Sequence, residues 1–189
     1  NSINLKGWPE VNQGWVQLGA SQRDNIMQFL PLWSGVPSQV DVDALLKTQS
    51  LDHFFSPGGL TFQPSAKPGA AQRIPSFLAG MIIEGLLRYG KTSEATKAFE
   101  HHFLGSAAME KAGSIEALIP IKLYLKLLGI QKLTLKELVL ADFIKKSEPV
   151  TVQYNKIRLK LMQDHVDIDI GAEGQFAVNT PGPQRILLA

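Results

Sequence analysis

The hydrophobic period changes once along this 189-residue chain, and that change limits the fold more than any single motif. Up to about residue 129 apolar residues recur at helical spacing; from residue 150 on they alternate with polar ones, as in a half-buried strand. The expected class is α+β: antiparallel α-hairpins over residues 1–130, then a small antiparallel β-domain over residues 131–189.

Five helices are expected. The first, residues 22–33, carries Ile26, Met27, Phe29 and Leu30 and is kinked or ended early by Pro31. The second, 38–49, has Ser38 as cap and an apolar face of Val40, Val42, Leu45 and Leu46. A Pro- and Gly-rich loop over 54–74 precedes the third, which starts at Pro75 and stops at Gly90. This third helix is apolar nearly all round, broken only by Glu84 and Arg88, which predicts burial on all sides. The fourth, 93–104, is amphipathic, with Ala95, Ala98, Phe99, His102 and Phe103 on the inner face and Glu94, Lys97 and Glu100 outside. An irregular stretch, 105–119, leads to the fifth helix at Pro120–Gly129.

Buried and surface helices thus take turns, which predicts hairpins stacked in an inner and an outer layer. Links from inner to outer helix are short; links from outer to inner, 54–74 and 105–119, are long. Residues 7–21 are irregular as well, and antiparallel stacking gathers all three segments on one rim. Long loops held by a rigid scaffold are where binding and catalysis concentrate.

Beyond Pro149 the alternation is plain: Val150, Val152 and Tyr154, then Ile157, Leu159 and Leu161, then Val166, Ile168 and Ile170. Turn signals at 171–174 and 180–183 set off Phe176 and Val178 and a last strand at 186–188, giving one small sheet or half a sandwich. Residues 133–141 could form a further strand, with a helix nearly as well supported.

Composition removes several function classes. With no cysteine there is no disulfide framework, thiolate nucleophile or thiolate-bound metal. Nineteen basic against 17 acidic residues give a net charge of +2, which makes no electrostatic case for nucleic acid or an anionic membrane. The most apolar run, 77–87, contains Glu84 and is too short to span a bilayer. The adjacent His101 and His102 face about 100° apart on a helix, so they cannot jointly hold a metal. Asp164, Asp167 and Asp169 follow strand alternation and not a calcium loop, and no nucleotide fingerprint is present; no cofactor is expected. The chain opens on Asn1 with no basic-then-apolar leader, so a processed chain or a piece of a longer one is expected.

Four short runs carry a family resemblance. Pro31-Leu32-Trp33-Ser34-Gly35 resembles the "PLW-G" segment of six-hairpin glycosidases such as trehalases and processing α-glucosidases. Gly58-Gly59-Leu60 resembles their "GGL" loop, the run from Ile83 to Gly90 their "IEGLxRYG" helix end, and Met109-Glu110-Lys111 their Glu-Lys segment. The order and spacing of these runs match across roughly residues 22–189. The chain departs from the pattern at Gln72-Arg73-Ile74, where trehalases have Asn-Gly-Trp, and at Ala112, where they have Tyr. The resemblance implies part of an α/α toroid followed by a β-rich tail. With helices for about two and a half of six hairpins, it implies the C-terminal part of an inverting glycoside hydrolase acting on an α-glucoside or related glycan. The acid-bearing region would then precede Asn1, and the chain alone would be inactive.

Such hydrolysis needs an acid and a base carboxyl ~6.5–9.5 Å apart. Glu10, Asp24, Glu110 and Glu116 fall on the inferred rim; Glu110 matches the Glu-Lys segment, and Glu116 lies nearer the inner helix and could serve as base. The plainer reading makes both solvated loop carboxylates. Trp8 and Trp15 could stack on a sugar ring or simply pack their loop, whereas Trp33 reads as core. Gln72 and Arg73 could donate to sugar hydroxyls, or Arg73 could form a surface ion pair. The expected partner is carbohydrate, together with self-association or a missing N-terminal half. The second reading is a non-enzymatic scaffold that binds a glycan or a protein.

Overall fold

The computed structural model describes residues 25–64, 72–104, 118–141, 149–162, 165–179 and 184–188. The chain divides into two compact units between Leu123 and Tyr124.

In the first unit Asn25 caps a 3-10 turn, Ile26–Phe29, by accepting the Met27 N–H at 2.9 Å. A four-residue helix, α1 (Pro31–Ser34), follows and ends at Gly35 with φ of 74°. The expected continuous helix is therefore split, and Pro31 is the reason. It has no N–H to offer the Met27 carbonyl, so Leu30 N–H takes that acceptor in the tighter 3-10 manner at 3.0 Å. Helix α2 (Gln39–Thr48) starts at Ser38 through a reciprocal capping box with Asp41. It buries Val42 but leaves Val40 76% exposed, since the two lie some 200° apart around the axis.

A 3-10 turn, Leu51–Phe54, leads into a minimal hairpin of β1 (Phe55–Ser56) and β2 (Gly59–Leu60). Thr61 then bridges to Arg73 in antiparallel fashion. Helix α3 (Ser76–Arg88) buries Ala79, Gly80, Ile82, Ile83, Gly85 and Leu86. It is not enclosed all round: Phe77, at its start, is 56% exposed. Its end is a Schellman motif, with Gly90 N–H to the Leu87 carbonyl (3.1 Å), Lys91 N–H to the Leu86 carbonyl (2.9 Å) and Gly90 at φ of 68°. Helix α4 (Thr92–Phe99) packs on α3 and widens into a π turn, Glu100–Leu104. Ala95, Ala98, Phe99, His102 and Phe103 are buried, as their spacing predicts. Helix α5 (Leu118–Leu127) buries Leu123 and leaves Leu118 and Ile121 exposed. Among the described residues no helix is long and apolar enough to cross a membrane.

The second unit has two antiparallel sheets. One has the order β3 (Ile130–Leu133), β4 (Glu137–Leu140), β9 (Gln184–Leu187). The other is a meander of β5 (Val150–Tyr154), β6 (Ile157–Leu161), β7 (His165–Asp169) and β8 (Gln175–Asn179). Leu138, Leu140 and Leu188 share one core with Ile157, Leu159, Leu161, Val166 and Ile168. The region 133–141, open between helix and strand, contains strand β4. The final strand pairs with β4, Glu137 opposite Leu187, and not with β8, its neighbour in sequence. The fold is thus mixed helix and sheet, with five helices and three antiparallel sheets among the described residues.

Leu159, fully buried at the centre of β6, tests this core. Leu159→Ala is expected to cost about 2–5 kcal/mol, read from urea unfolding, whereas exposed Lys160→Ala should stay within about 0.5 kcal/mol.

Candidate functional site

Two of the sequence runs meet at a close backbone approach. Gly85 of α3 lies against α1: a Cβ there would stand 2.7 Å from Leu32 Cβ and 2.8 Å from the Trp33 backbone nitrogen. Around this contact the side chains of both runs interlock. Trp33 Nε1–H donates to Glu84 Oε2 at 3.2 Å, and Lys122 Nζ sits 3.1 Å from Glu84 Oε1. Tyr89 donates its hydroxyl to the Pro37 carbonyl at 2.6 Å. The Arg88 side chain packs beneath Gly35, where a Cβ would come within 2.6 Å of Nη1. Lys91 pairs with Asp43 and holds its carboxyl below the ordinary range. Pro31–Gly35 and the stretch from Glu84 to Lys91 therefore form a structural clasp.

A second junction joins the glycine loop to Arg73 and His102. Gly59, at φ of 116°, turns the chain so that Leu60 N–H donates to His102 Nδ1 at 3.2 Å. Arg73 Nη2 donates to the His102 carbonyl at 2.8 Å. A side chain at Gly59 would be strained by its φ and crowded, since a Cβ would lie 3.0 Å from Arg73 Nε and 3.1 Å from His102 Nδ1. Ladder bonds fix the strands around it: Phe62 N–H to the Gln72 carbonyl and Ile74 N–H to the Leu60 carbonyl, each 2.9 Å. Thr61, fully buried, donates its hydroxyl toward the Phe54 carbonyl at 3.1 Å. His101, on the exposed side of the π turn, stacks on Phe55 with ring centres 4.2 Å apart.

The electrostatics of this junction follow from burial. His102 is fully buried, and burial together with the nearby Arg73 cation pushes its imidazole down to about 3. The ring is therefore neutral at ordinary pH. Because Nδ1 accepts from Leu60, its single proton resides on Nε2. Such a histidine is no general base near pH 7; it is a fixed acceptor that orders the glycine loop. Arg73 is the cation of the junction, partly buried and aimed by the His102 carbonyl.

Of the sequence-predicted site residues, the structure brings Gln72 and Arg73 to this junction. Arg73 is partly buried and anchored there by the His102 carbonyl; Gln72 is exposed and contributes its carbonyl to the ladder. Trp8, Trp15, Glu110 and Glu116, and the rim carboxylates Glu10 and Asp24, lie outside the described residues. Trp33, expected in the core, is 43% exposed and held by Glu84. The sequence marked His102 as packed but gave no sign of its bond to the glycine loop, because that bond spans 42 positions. Among the described residues no group of three or more His, Cys, Asp or Glu side chains is placed to hold a metal ion.

Comparison with family models, with curated proteins and with solved structures returns no match.

Both junctions are open to test. Gly85→Ala is expected to destabilise the first unit by about 1–3 kcal/mol, since α1 must move off α3, whereas Gly58→Ala, whose Cβ would meet only Ser56 Oγ at 3.9 Å, should be nearly silent in thermal unfolding. His102 titrates near 3 in the fold against an ordinary 6.5, so the unfolded chain binds its proton more readily. Its contribution to stability is full above the ordinary value and is lost as pH falls from there toward the folded value, by up to about 1.4 kcal/mol per pH unit. Urea unfolding at pH of about 6.5 and about 4.5 should show a shallower loss in His102→Gln than in the parent chain; equal slopes would exclude His102 as the source.

Proposed function

We propose that this chain is the C-terminal part of an inverting glycoside hydrolase acting on an α-glucoside or a related glycan. In this reading the first unit is a sector of an α/α toroid built of stacked helical hairpins, and the second is its trailing β-domain. Glu110 and Glu116 are the catalytic carboxyls this chain supplies, Glu116 in the base role, with the acid-bearing region upstream of Asn1; Trp8 and Trp15 stack on sugar rings, and Gln72 and Arg73 donate to hydroxyls. The reading is supported by the way the runs that resemble six-hairpin glycosidases engage one another. The "PLW-G" run seats on the "IEGLxRYG" run through Gly85, and the "GGL" run seats on Arg73 through Gly59. Of these, the Gly59–Arg73 contact carries most weight, because it fixes a partly buried cation against the glycine loop.

Inversion places the two carboxyls ~6.5–9.5 Å apart with a water between them, so both must be present in one folded chain. In this reading the acid-bearing region lies upstream of Asn1, so these 189 residues alone should turn over no α-glucoside. A version extended upstream of Asn1 should hydrolyse one with inversion, and Glu110→Gln or Glu116→Gln in it should lower kcat by about 10²–10⁴-fold. Turnover by the 189 residues alone, or an unaffected kcat in both variants, would overturn the assignment.

The second reading is a scaffold that binds without turnover. Leu118 and Ile121, 62% and 58% exposed on α5, favour it as an association surface. Sedimentation separates a monomer from an assembly, and loss of glycan binding in Trp15→Ala without any turnover would favour this second reading.

A further inference from the structure

The polar face of the meander sheet holds a groove that the proposed active site does not use. In β6, Arg158 and Lys160 point away from the core; in β7, Asp167 and Asp169 do the same. The register sets them in direct opposition, Arg158 across from Asp169 and Lys160 across from Asp167. Opposite charges so placed have Cβ atoms about 4.5–5.5 Å apart and would be expected to close on each other. Here they do not. Asp169 turns to accept the Gly171 N–H at 2.9 Å, and Asp167 Oδ1 lies 3.4 Å from His165 Nε2. A concavity of about 450 Å³ remains between the two charged rows, bordered on β8 by Gln175 and Ala177.

We propose that this groove binds a short neutral saccharide. Three features of the groove select that class. Its charges cancel, two cations against two carboxylates, so it offers no net field to an anion or to a nucleic acid. Its polar groups are those that suit vicinal hydroxyls: a carboxylate accepts from two O–H groups, while a guanidinium or amide donates to the same oxygens. Its volume is that of a small-molecule site, and Gln175, opposite Asp169 on the same face, adds an amide at the rim. Arg158 reaches the groove from the centre of the sheet and Asp167 faces it from the adjacent strand, so a ligand bridging them would lie across β6 and β7.

The groove lies wholly in the second unit, so the assignment stands apart from the hydrolase reading. The full 189-residue chain is titrated with maltohexaose and cellohexaose by calorimetry, with ¹H–¹⁵N spectra to locate the perturbed residues. Binding of at least one of the two is expected, with shifts at β6, β7 and β8 and no change between low and high salt. Arg158→Ala and Asp167→Ala should each weaken it about tenfold or more, while Thr151→Ala, outside the groove, should leave it unchanged. The spectra of each variant establish that the sheet is intact. No binding of either saccharide, binding that survives both groove variants, or capture only of a charged probe such as heparin or glycine would overturn the proposal. Glu110→Gln leaves groove binding intact while removing turnover in the extended chain, so failure of one reading is told apart from failure of the other.

Discussion

The approach of Gly85 to the backbone of Leu32 and Trp33 is the contact on which the order of the first unit turns. Interaxial distance depends on the side chains at the contact, and a glycine there lets the two backbones approach closely. Everything near this contact is arranged to hold it. Glu84, one residue before, receives Trp33; Arg88, one turn on, fills the space under Gly35; Tyr89 reaches back to Pro37. The run from Glu84 to Lys91 thus has packing reasons for nearly every residue. A motif can recur because a fold needs it, and this one needs no chemistry to account for its spacing.

The glycine loop shows a different use of the same freedom. Gly59 has a backbone conformation that other residues avoid, and His102 exploits it by taking the Leu60 N–H as a hydrogen-bond donor. Burying an imidazole is tolerable because the ring stays neutral and its acceptor nitrogen is satisfied. Had His102 carried a proton, it would have faced the Arg73 cation in a place without solvent, and Nδ1 could no longer have accepted. The ring and the guanidinium are therefore matched: one remains uncharged so that the other can be fixed close by.

Where the sequence was legible, the signal was local. Ser38 as the cap of α2, Gly90 as the stop of α3 and the alternation through Ile157, Leu159 and Leu161 all act within a few residues, and each came out as expected. The misses came from longer-range or competing effects. Pro31 was seen as a breaker, but the 3-10 turn before it arises because Leu30 takes over the Met27 carbonyl. The pairing of β9 with β4 joins residues some 48 positions apart, Glu137 being bonded to Arg185, and period-two alternation says which face of a strand is apolar but not which strand lies beside it. Two sheets on one core therefore stood where a single sheet or half sandwich was read. The junction of Gly59 with His102 was hidden for the same reason, although each of its residues had drawn notice alone.

The two sheets of the second unit treat charge in opposite ways, and the contrast explains why the groove is available. Glu137 on β4 is mostly covered and engages both Lys132 and Arg185, and these cations, Lys132 foremost, hold its carboxyl below the ordinary range. A covered carboxylate must be matched, because leaving it unmatched carries the full desolvation cost. Asp167 and Asp169 are on a wetter face, where an ion pair is worth only about 0–1 kcal/mol and little is lost by leaving Arg158 and Lys160 to solvent. Among the described residues, Arg158 and Lys160 therefore have no cross-strand ion pair to be broken before a ligand engages them, and the strand register has already fixed their spacing. The strands thus provide preorganisation, and weak surface pairing leaves the groups unoccupied for a partner.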